Sequence, residues 1–484
     1  MRPLLAVSLE SAIRTAVLPA LLLFAASATA QTTVDQALED DLKGGRWSVS
    51  VRALDGTPFL SVNADRRVVP ASTLKLVTTA TALHLFGDFS NAGWPLGTAL
   101  HIIDGPTADF PTLVLRGNGD ATLSDGQNCD SSCLVQLVQA VQARGITDIQ
   151  NIEVDDSLFE EPRWPAGWAQ DDLRFAYGTA ISALSVNDGV AEATIAPGPA
   201  IGSPPVLEWD SVPAFSIDLT RAQTSSYGFD LDYFKRPGAS TGEITGTIGR
   251  TAGRVDLKFG LDDPSLYAGQ LFSERLRQAG IEMHGTVLRR ETVSPIEART
   301  PQPQLIYRHA SPDPRKMLQE ILHESNNVHA EVLLHHISLT FRDRTTDAGL
   351  KLMAHILMEA GAEEDDFDLF DGSGLSFYNR ITPEAMSGLL VWASDQTWFE
   401  SWENLLADNG EDGTLEYRLT NGLPEGAVRA KSGSVFGADG LAGYFQAVSG
   451  REYTFAIYIN DSAMTHPAAR SRIDSLLRTL IATY

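Results

Sequence analysis

Pro70-Ala71-Ser72-Thr73-Leu74-Lys75-Leu76-Val77-Thr78-Thr79-Ala80 sets a serine three residues before a lysine at the head of an apolar, threonine-rich run. Pro70 disfavours helix at the residue before it and marks a boundary. Leu74, Val77, Thr78, Thr81 and Leu85 recur at helical spacing, so the run reads as a buried helix. Residues three apart share a helix face, which brings the Lys75 amine to the Ser72 hydroxyl. A serine hydroxyl is a weak nucleophile until a base takes its proton. A lysine is such a base only if desolvation or a second cation lowers its pKa. The helix N-terminus contributes both a positive dipole end and free N–H groups for an oxyanion. Ser-x-x-Lys alone is a common accident, more readily read as an exposed lysine on an ordinary helix. It gains weight only from partner motifs elsewhere in the chain.

Both chain ends supply strands to its surroundings. Trp47, Val49, Val51 and Ala53 alternate with polar neighbours, Asp55-Gly56 turns, and Phe59 to Val62 resumes, a hairpin leading into the Ser72 helix. Ala427 to Ala430, Leu441 to Val448 and Tyr453 to Ile459 read as three more strands. Gly437-Ala438-Asp439-Gly440 and Ser449-Gly450 are expected to be the turns between them. The expected fold class is α/β of the α+β type, one antiparallel sheet flanked by helices. Ile473, Leu476, Leu477, Leu480 and Ile481 put an apolar face on a terminal helix, expected on that sheet and not on a membrane.

Two further stretches complete a constellation. His323-Glu324-Ser325-Asn326-Asn327 interrupts a helical pattern from Lys316 to Leu334. A serine and an asparagine two apart cannot share a helix face, so a break is expected there. Ser325 can then pass protons between Lys75 and a leaving amine, while Asn327 holds a substrate amide. Ala430-Lys431-Ser432-Gly433-Ser434 begins on a strand, where Gly433 allows another chain to approach and an extended substrate can add to the edge. Lys431 and the hydroxyls of Ser432 and Ser434 suit a terminal carboxylate. The Ser434 N–H, opposite that of Ser72, suits an oxyanion. Each stretch also has a plain structural reading; together, in this order, they form a serine-acylation signature.

Composition narrows the partners. The 484-residue chain carries a formal charge of −25, which excludes the basic surface that nucleic acid rewards. Its length calls for two or three domains. Residues 1–30 read as an export signal: Arg2 and Arg14, an apolar core from Ala16 to Ala26, and Ala28-Thr29-Ala30 before Gln31. No later stretch is apolar enough to span a bilayer. Cys129 and Cys133 either pair in an oxidising compartment or remain two inert thiols, and their spacing is not that of a redox motif. His323, His329, His335 and His336 lack the His-Glu-x-x-His spacing of a zinc site. Gly117-Asn118-Gly119-Asp120 lacks the Gly-Lys-Ser/Thr ending of a phosphate loop and reads as a turn. No metal and no cofactor are expected.

The chain resembles the penicillin-recognising serine enzymes, and more closely the D-alanyl-D-alanine carboxypeptidase/endopeptidase family, the class C low-molecular-mass penicillin-binding proteins. The three stretches carry the resemblance. So do Gly117-Asn118-Gly119-Asp120, Ala183-Leu184-Ser185-Val186-Asn187, Leu266-Tyr267-Ala268 with Gly280-Ile281, and Asp371-Gly372-Ser373-Gly374-Leu375-Ser376. It implies a DD-peptidase/β-lactamase-like fold with a large two-module insertion between the first and second motifs. The implied division is a catalytic part at 31–80 and 285–484, one module at 81–100 and 182–284, and another at 101–181.

The resemblance also implies roles. Ser72 is acylated with Lys75 as base, Ser325 and Asn327 form the second motif, and Lys431, Ser432, Gly433 and Ser434 receive the C-terminal carboxylate. Ser432 stands where the family usually has threonine and keeps the hydroxyl. Asp172 and Tyr177 look like the pair lining the pocket for the free end of a diaminopimelate side chain, with Asp171 adjacent. The family commonly has arginine after Asp-Gly-Ser-Gly-Leu-Ser; here Phe377 stands there, with Arg380 nearby. The implied activity is periplasmic hydrolysis of peptidoglycan stem peptides, with β-lactams as covalent inhibitors and no set oligomeric state. A β-lactamase and a non-catalytic peptidoglycan-binding protein are the alternatives.

Overall fold

A computed structural model describes residues 45–483 except 88–96, 104–109, 127–128, 130–131, 161, 290–301, 311–312, 411–412 and 421. The expected export signal lies outside the described residues. A six-stranded antiparallel sheet joins the two ends of the chain. Its strands are β1 (Arg46–Ala53), β2 (Pro58–Val62), β3 (Ala407–Asp408), β4 (Val428–Val435), β5 (Ala438–Gln446) and β6 (Glu452–Asn460), in the order β3-β4-β5-β6-β1-β2. The period-2 alternation of β6 divides its side chains between two cores. Phe455, Ile457 and Ile459 join Trp47, Val49 and Val51 against Ile473, Leu477 and Leu480 of the terminal helix. Ala456 and Tyr458 face the opposite way, into a helical layer.

That layer comprises α1 (Lys75–Phe86), α2 (Pro314–Leu322), α3 (Asn327–Leu339), α4 (Asp347–Glu359) and α5 (Pro383–Ser394); α6 (His466–Thr483) covers the other face of the sheet. Helix α1 is buried almost all round, which explains its threonines. Thr79 and Thr81 return their hydroxyls to the carbonyls of Lys75 and Val77 at 2.7 and 2.8 Å, so neither hydroxyl is left unpaired in the core. No helix among the described residues is long and apolar enough to cross a membrane.

The insertion has its own cores. Residues 287–289, 152–155, 112–116, 99–103 and 304–308 form a five-stranded sheet in that order, covered by helices Leu134–Gln142 and Pro264–Gln278. Strands between 190 and 260 form two three-stranded sheets around Phe259 and Tyr233. Residues 287–289 and 304–308 pair in the same ladder as 99–103, 112–116 and 152–155, while Ala82, Leu83 and Phe86 pack in the helical layer against the six-stranded sheet. Hydrophobic period locates a strand but does not name its ladder partner.

Two smaller points also come from the structure. Cys129 and Cys133 are joined as a disulfide. The turn after β4 is Phe436-Gly437 alone, with Gly437 at φ +73°, so Asp439 and Gly440, expected in a turn, are strand residues.

Candidate active site

The turn that carries Ser72 is locked onto the sheet before α1 begins. Residues Ala71–Leu74 form a 3-10 turn, and the buried Thr73 hydroxyl bonds Pro70 O at 2.8 Å and Tyr458 Oη at 2.9 Å. Strand β4 passes so close that a Cβ on Gly433 would stand 2.8 Å from Pro70 O and Ser72 N. On the other side a Cβ on Gly374 would lie 1.9 Å from Ala71 O, and Gly374 itself sits at φ +82°. A side chain at 374 would also be strained by its φ, and one at 433 would have to displace the strand.

Lys75 is fully buried, and its Nζ has three neighbours: Ser72 Oγ at 3.0 Å, Asn327 Oδ1 at 2.6 Å and Ser373 O at 2.7 Å. Burial pulls its pKa down to about 7, against the opposing pull of Asp371 and Glu331. Burial likewise pushes Lys431 well below the ordinary lysine value, and the nearby Lys75 adds to it. The Lys431 Nζ donates to Ser432 O at 3.0 Å.

The second motif sits in a break, as its spacing demands. Helix α2 ends at Leu322, Ser325 adopts φ +64°, and the Asn326 side chain caps α3 by accepting from His329 N at 3.2 Å. Asn327 therefore opens α3 facing Ser72. Besides holding Lys75, it donates from Nδ2 to Tyr177 O at 2.8 Å, leaving one N–H for a ligand. Ser325 shares the cavity but is not among the three groups bonded to Lys75.

A cavity of about 690 Å³ opens over Ser72, walled by Asp172, Tyr177, Ser325, Asn327 and Ser434. Of the third motif, Ser434 lines it, while Gly433 packs on the turn that carries Ser72. Tyr177 Oη donates to Asp172 Oδ1 at 2.8 Å, and burial raises the pKa of both. Phe377 and Asp171 also line this space. Arg380 turns away, its guanidinium donating to the carbonyls of Phe377 and Asn379 at 2.7 Å, so it does not replace an arginine at 377.

Two groups of residues support the site in ways that the sequence alone does not assign. Residues 371–376 wrap around the buried Asp371 carboxylate, which accepts from Gly374 N, Ser376 N, Asn379 Nδ2 and, across the insertion, Trp168 Nε1 at 2.9 Å. Glu331 of α3 accepts from Gly372 N and Ser373 N, and burial, then Asp371, lifts its pKa to about 8. Ser373 is thus pinned at its N–H by Glu331 and meets Lys75 with its carbonyl. A carboxylate inside an apolar helix was the available signal for Glu331. The second group is Asp439, His466 and Arg470. Buried Asp439 accepts from Ser434 Oγ at 2.6 Å and holds His466 Nδ1 at 3.0 Å, while Arg470 Nη2 donates to Ser434 Oγ at 3.0 Å.

Among the described residues, only Asp148, Glu282 and His284 bring three potential metal ligands together, and none of them lines this cavity. The four histidines at 323–336 do not converge. His329 pairs with Asp188 at 2.9 Å, His336 bonds Gly119 O at 2.9 Å, and His335 stacks on Phe159.

Known proteins carry the same architecture. The chain is 30% identical over 453 residues to the D-alanyl-D-alanine carboxypeptidase of Actinomadura sp. (strain R39), spanning 90% of this chain and 82% of that one. It is 24% identical to D-alanyl-D-alanine carboxypeptidase DacB of Haemophilus influenzae, over 72% of this chain and 71% of that one. The crystal structure of penicillin binding protein 4 (dacB) from Haemophilus influenzae shares the fold with a TM-score of 0.77 at 22% identity, covering 92% of this chain and 98% of that one. A profile of the D-Ala-D-Ala carboxypeptidase 3 (S13) family matches residues 30–480. The chain belongs to the D-Ala-D-Ala carboxypeptidase 3 (S13) family.

Proposed function

We propose that this protein is an exported, periplasmic serine D,D-peptidase. It hydrolyses D-Ala-D-Ala termini of peptidoglycan stem peptides, and D-Ala-meso-diaminopimelate cross-links are the second substrate class. The observation that carries this reading is the set of neighbours around Lys75. Asn327 Oδ1 and Ser373 O can only accept, so a neutral amine directs its two protons to them. Its lone pair then faces Ser72 Oγ, which can donate. With its pKa near 7, Lys75 has this form available at neutral pH.

Ser72 Oγ attacks the carbonyl carbon between the two residues as its proton passes to Lys75. The N–H groups of Ser72 and Ser434 receive the oxyanion. Collapse breaks the C–N bond, the amine leaves with the proton from Lys75, and Ser72 holds an ester. Water then attacks that ester, gives a proton to Lys75, and Ser72 is restored. A β-lactam opens on Ser72 by the same first step, but its amine stays tethered. Asp172 and Tyr177 receive the amine end of the stem-peptide side chain.

Intact mass against time with benzylpenicillin, alongside D-alanine release from a D-Ala-D-Ala peptide, tests the assignment. One long-lived adduct per chain and D-alanine release, both absent in Ser72→Ala, are expected. Penicillin consumed through a brief adduct without D-alanine release would instead identify a β-lactamase. No adduct on a folded protein would leave a binding protein.

A further inference from the structure

The Ser434 hydroxyl, expected to bind the substrate's terminal carboxylate, has one proton, and that proton is directed at Asp439 Oδ1, 2.6 Å away. Its oxygen accepts from Arg470 Nη2 at 3.0 Å. As it stands, the Ser434 hydroxyl offers an anion no donor, whereas Arg470 is already at the same spot. Asp439 can release the hydroxyl readily, because His466 Nδ1 remains 3.0 Å from both of its oxygens and Arg470 Nε 3.8 Å from one. Both Arg470 and His466 are about half exposed, and His466 lines the cavity.

Charge points the same way. Asp171, Asp172 and Glu324 line the cavity, an unfavourable setting for an anion. The two lysines near it, Lys75 and Lys431, are both driven toward neutrality by burial. Arg418, another cation felt by Lys431, is engaged by Asp474 at 2.6 Å. A guanidinium keeps its charge throughout.

Resting on the peptidase reading above, we infer that Arg470, steadied with His466 by buried Asp439, is the residue that recognises the free carboxylate of the leaving amino acid beside Ser434. The Ser434 hydroxyl turns from Asp439 to the carboxylate as it binds, and Arg470 supplies the charge. The protein therefore selects leaving groups that bear a carboxylate next to the scissile amide.

The test compares two otherwise identical peptides, one ending in D-Ala-D-Ala and one in D-Ala-D-alaninamide, cleaved by the full chain and by Arg470→Gln, Arg470→Lys and His466→Gln. The measured quantity is the ratio of kcat/KM for carboxylate over carboxamide. A loss of fold or of general activity lowers both values and leaves the ratio unmoved. Arg470→Gln should cut the ratio about tenfold or more, the usual effect of losing a hydrogen bond to a charged group, and Arg470→Lys should restore part of it. His466→Gln should lower it less. A ratio unchanged in Arg470→Gln or, if that variant does not fold, in Arg470→Lys overturns the inference while leaving the peptidase reading intact. A parent chain that cleaves neither peptide overturns both.

Discussion

Asn327 Oδ1 lies 2.6 Å from Lys75 Nζ, while the other end of the same amide donates to Tyr177 O, so one side chain ties the proposed base to the insertion. Because that oxygen can only accept, it decides where the lysine lone pair points. Acylation of the parent by benzylpenicillin should rise with pH around a midpoint near 7, as Lys75 loses its proton. Asn327→Asp places a negative charge beside the amine, which favours the protonated lysine. The midpoint should then move to higher pH, and acylation at pH 7 should slow about fivefold for the first whole pH step it moves and about tenfold for each further one. Stopped-flow acylation rates from pH 5 to 10 check both; an unmoved midpoint in Asn327→Asp means that Lys75 is not the group titrating.

Glu331 has the opposite linkage. Its folded pKa, about 8, lies above the ordinary glutamate value, so the native state binds more protons than the unfolded chain between about 4.5 and 8. Stability contributed by the neutral carboxyl is complete below that window and is lost as pH rises through it. Glu331→Gln keeps an acceptor for the Ser373 N–H and removes the ionisation. Relative to the parent, it should gain on the order of 3 to 4 kcal/mol between pH 5 and pH 8. Urea unfolding at the two pH values measures this, and a difference independent of pH would show that Glu331 ionises freely in the fold.

The side-chain pocket has an acid without the usual base. Asp172, bonded to Tyr177, and Asp171 face the cavity, while Phe377 occupies one wall and Arg380 is turned onto the carbonyls of its own loop. Donor peptides whose side chain ends in a free amine should outperform their N-acetylated forms, and Asp172→Asn should remove about tenfold of that preference. Phe377→Arg should raise kcat/KM for side chains that also carry a carboxylate. Steady-state kinetics on the peptide set decides; equal rates on amine and acetylated donors would remove Asp172 from recognition.

The three motifs were legible because each is local. Three residues of helix bring Ser72 and Lys75 together, and the two-residue offset of Ser325 and Asn327 forces the break the structure contains. Burial of the terminal helix on the sheet followed equally from the stripe at Ile473, Leu477 and Leu480. The stretch from Asp371 to Ser376 was legible only as part of the resemblance; the role of Asp371 was not, because it acts largely on backbone N–H groups, which no sequence pattern displays. Asp439 was hidden by turn-like neighbours. Within that turn only Gly437 adopts the left-handed conformation, so the strand resumes one residue later and carries Asp439 to Ser434. Membership of 287–289 and 304–308 in the five-stranded sheet is a long-range pairing that local composition does not encode.

Gly433 offers the sharpest test of how the sheet serves the nucleophile. A Cβ there would stand 2.8 Å from Pro70 O, 2.8 Å from Ser72 N and 2.9 Å from Thr73 N. All three are backbone atoms of a turn pinned by Thr73 to Tyr458, so no flexible side chain can yield. Gly433→Ala must therefore push β4 away from Ser72, opening the gap between the two N–H groups assigned to the oxyanion. Displacement of one such donor costs about 100-fold or more in rate. The cores on either side of the sheet are untouched, and overpacking of this kind costs about 1–3 kcal/mol. The expected result is a folded protein, slightly lowered in Tm, whose acylation by benzylpenicillin is slower by about two orders of magnitude or more. Acylation at the parental rate would mean that the strand and the nucleophile turn need not touch for the chemistry to proceed.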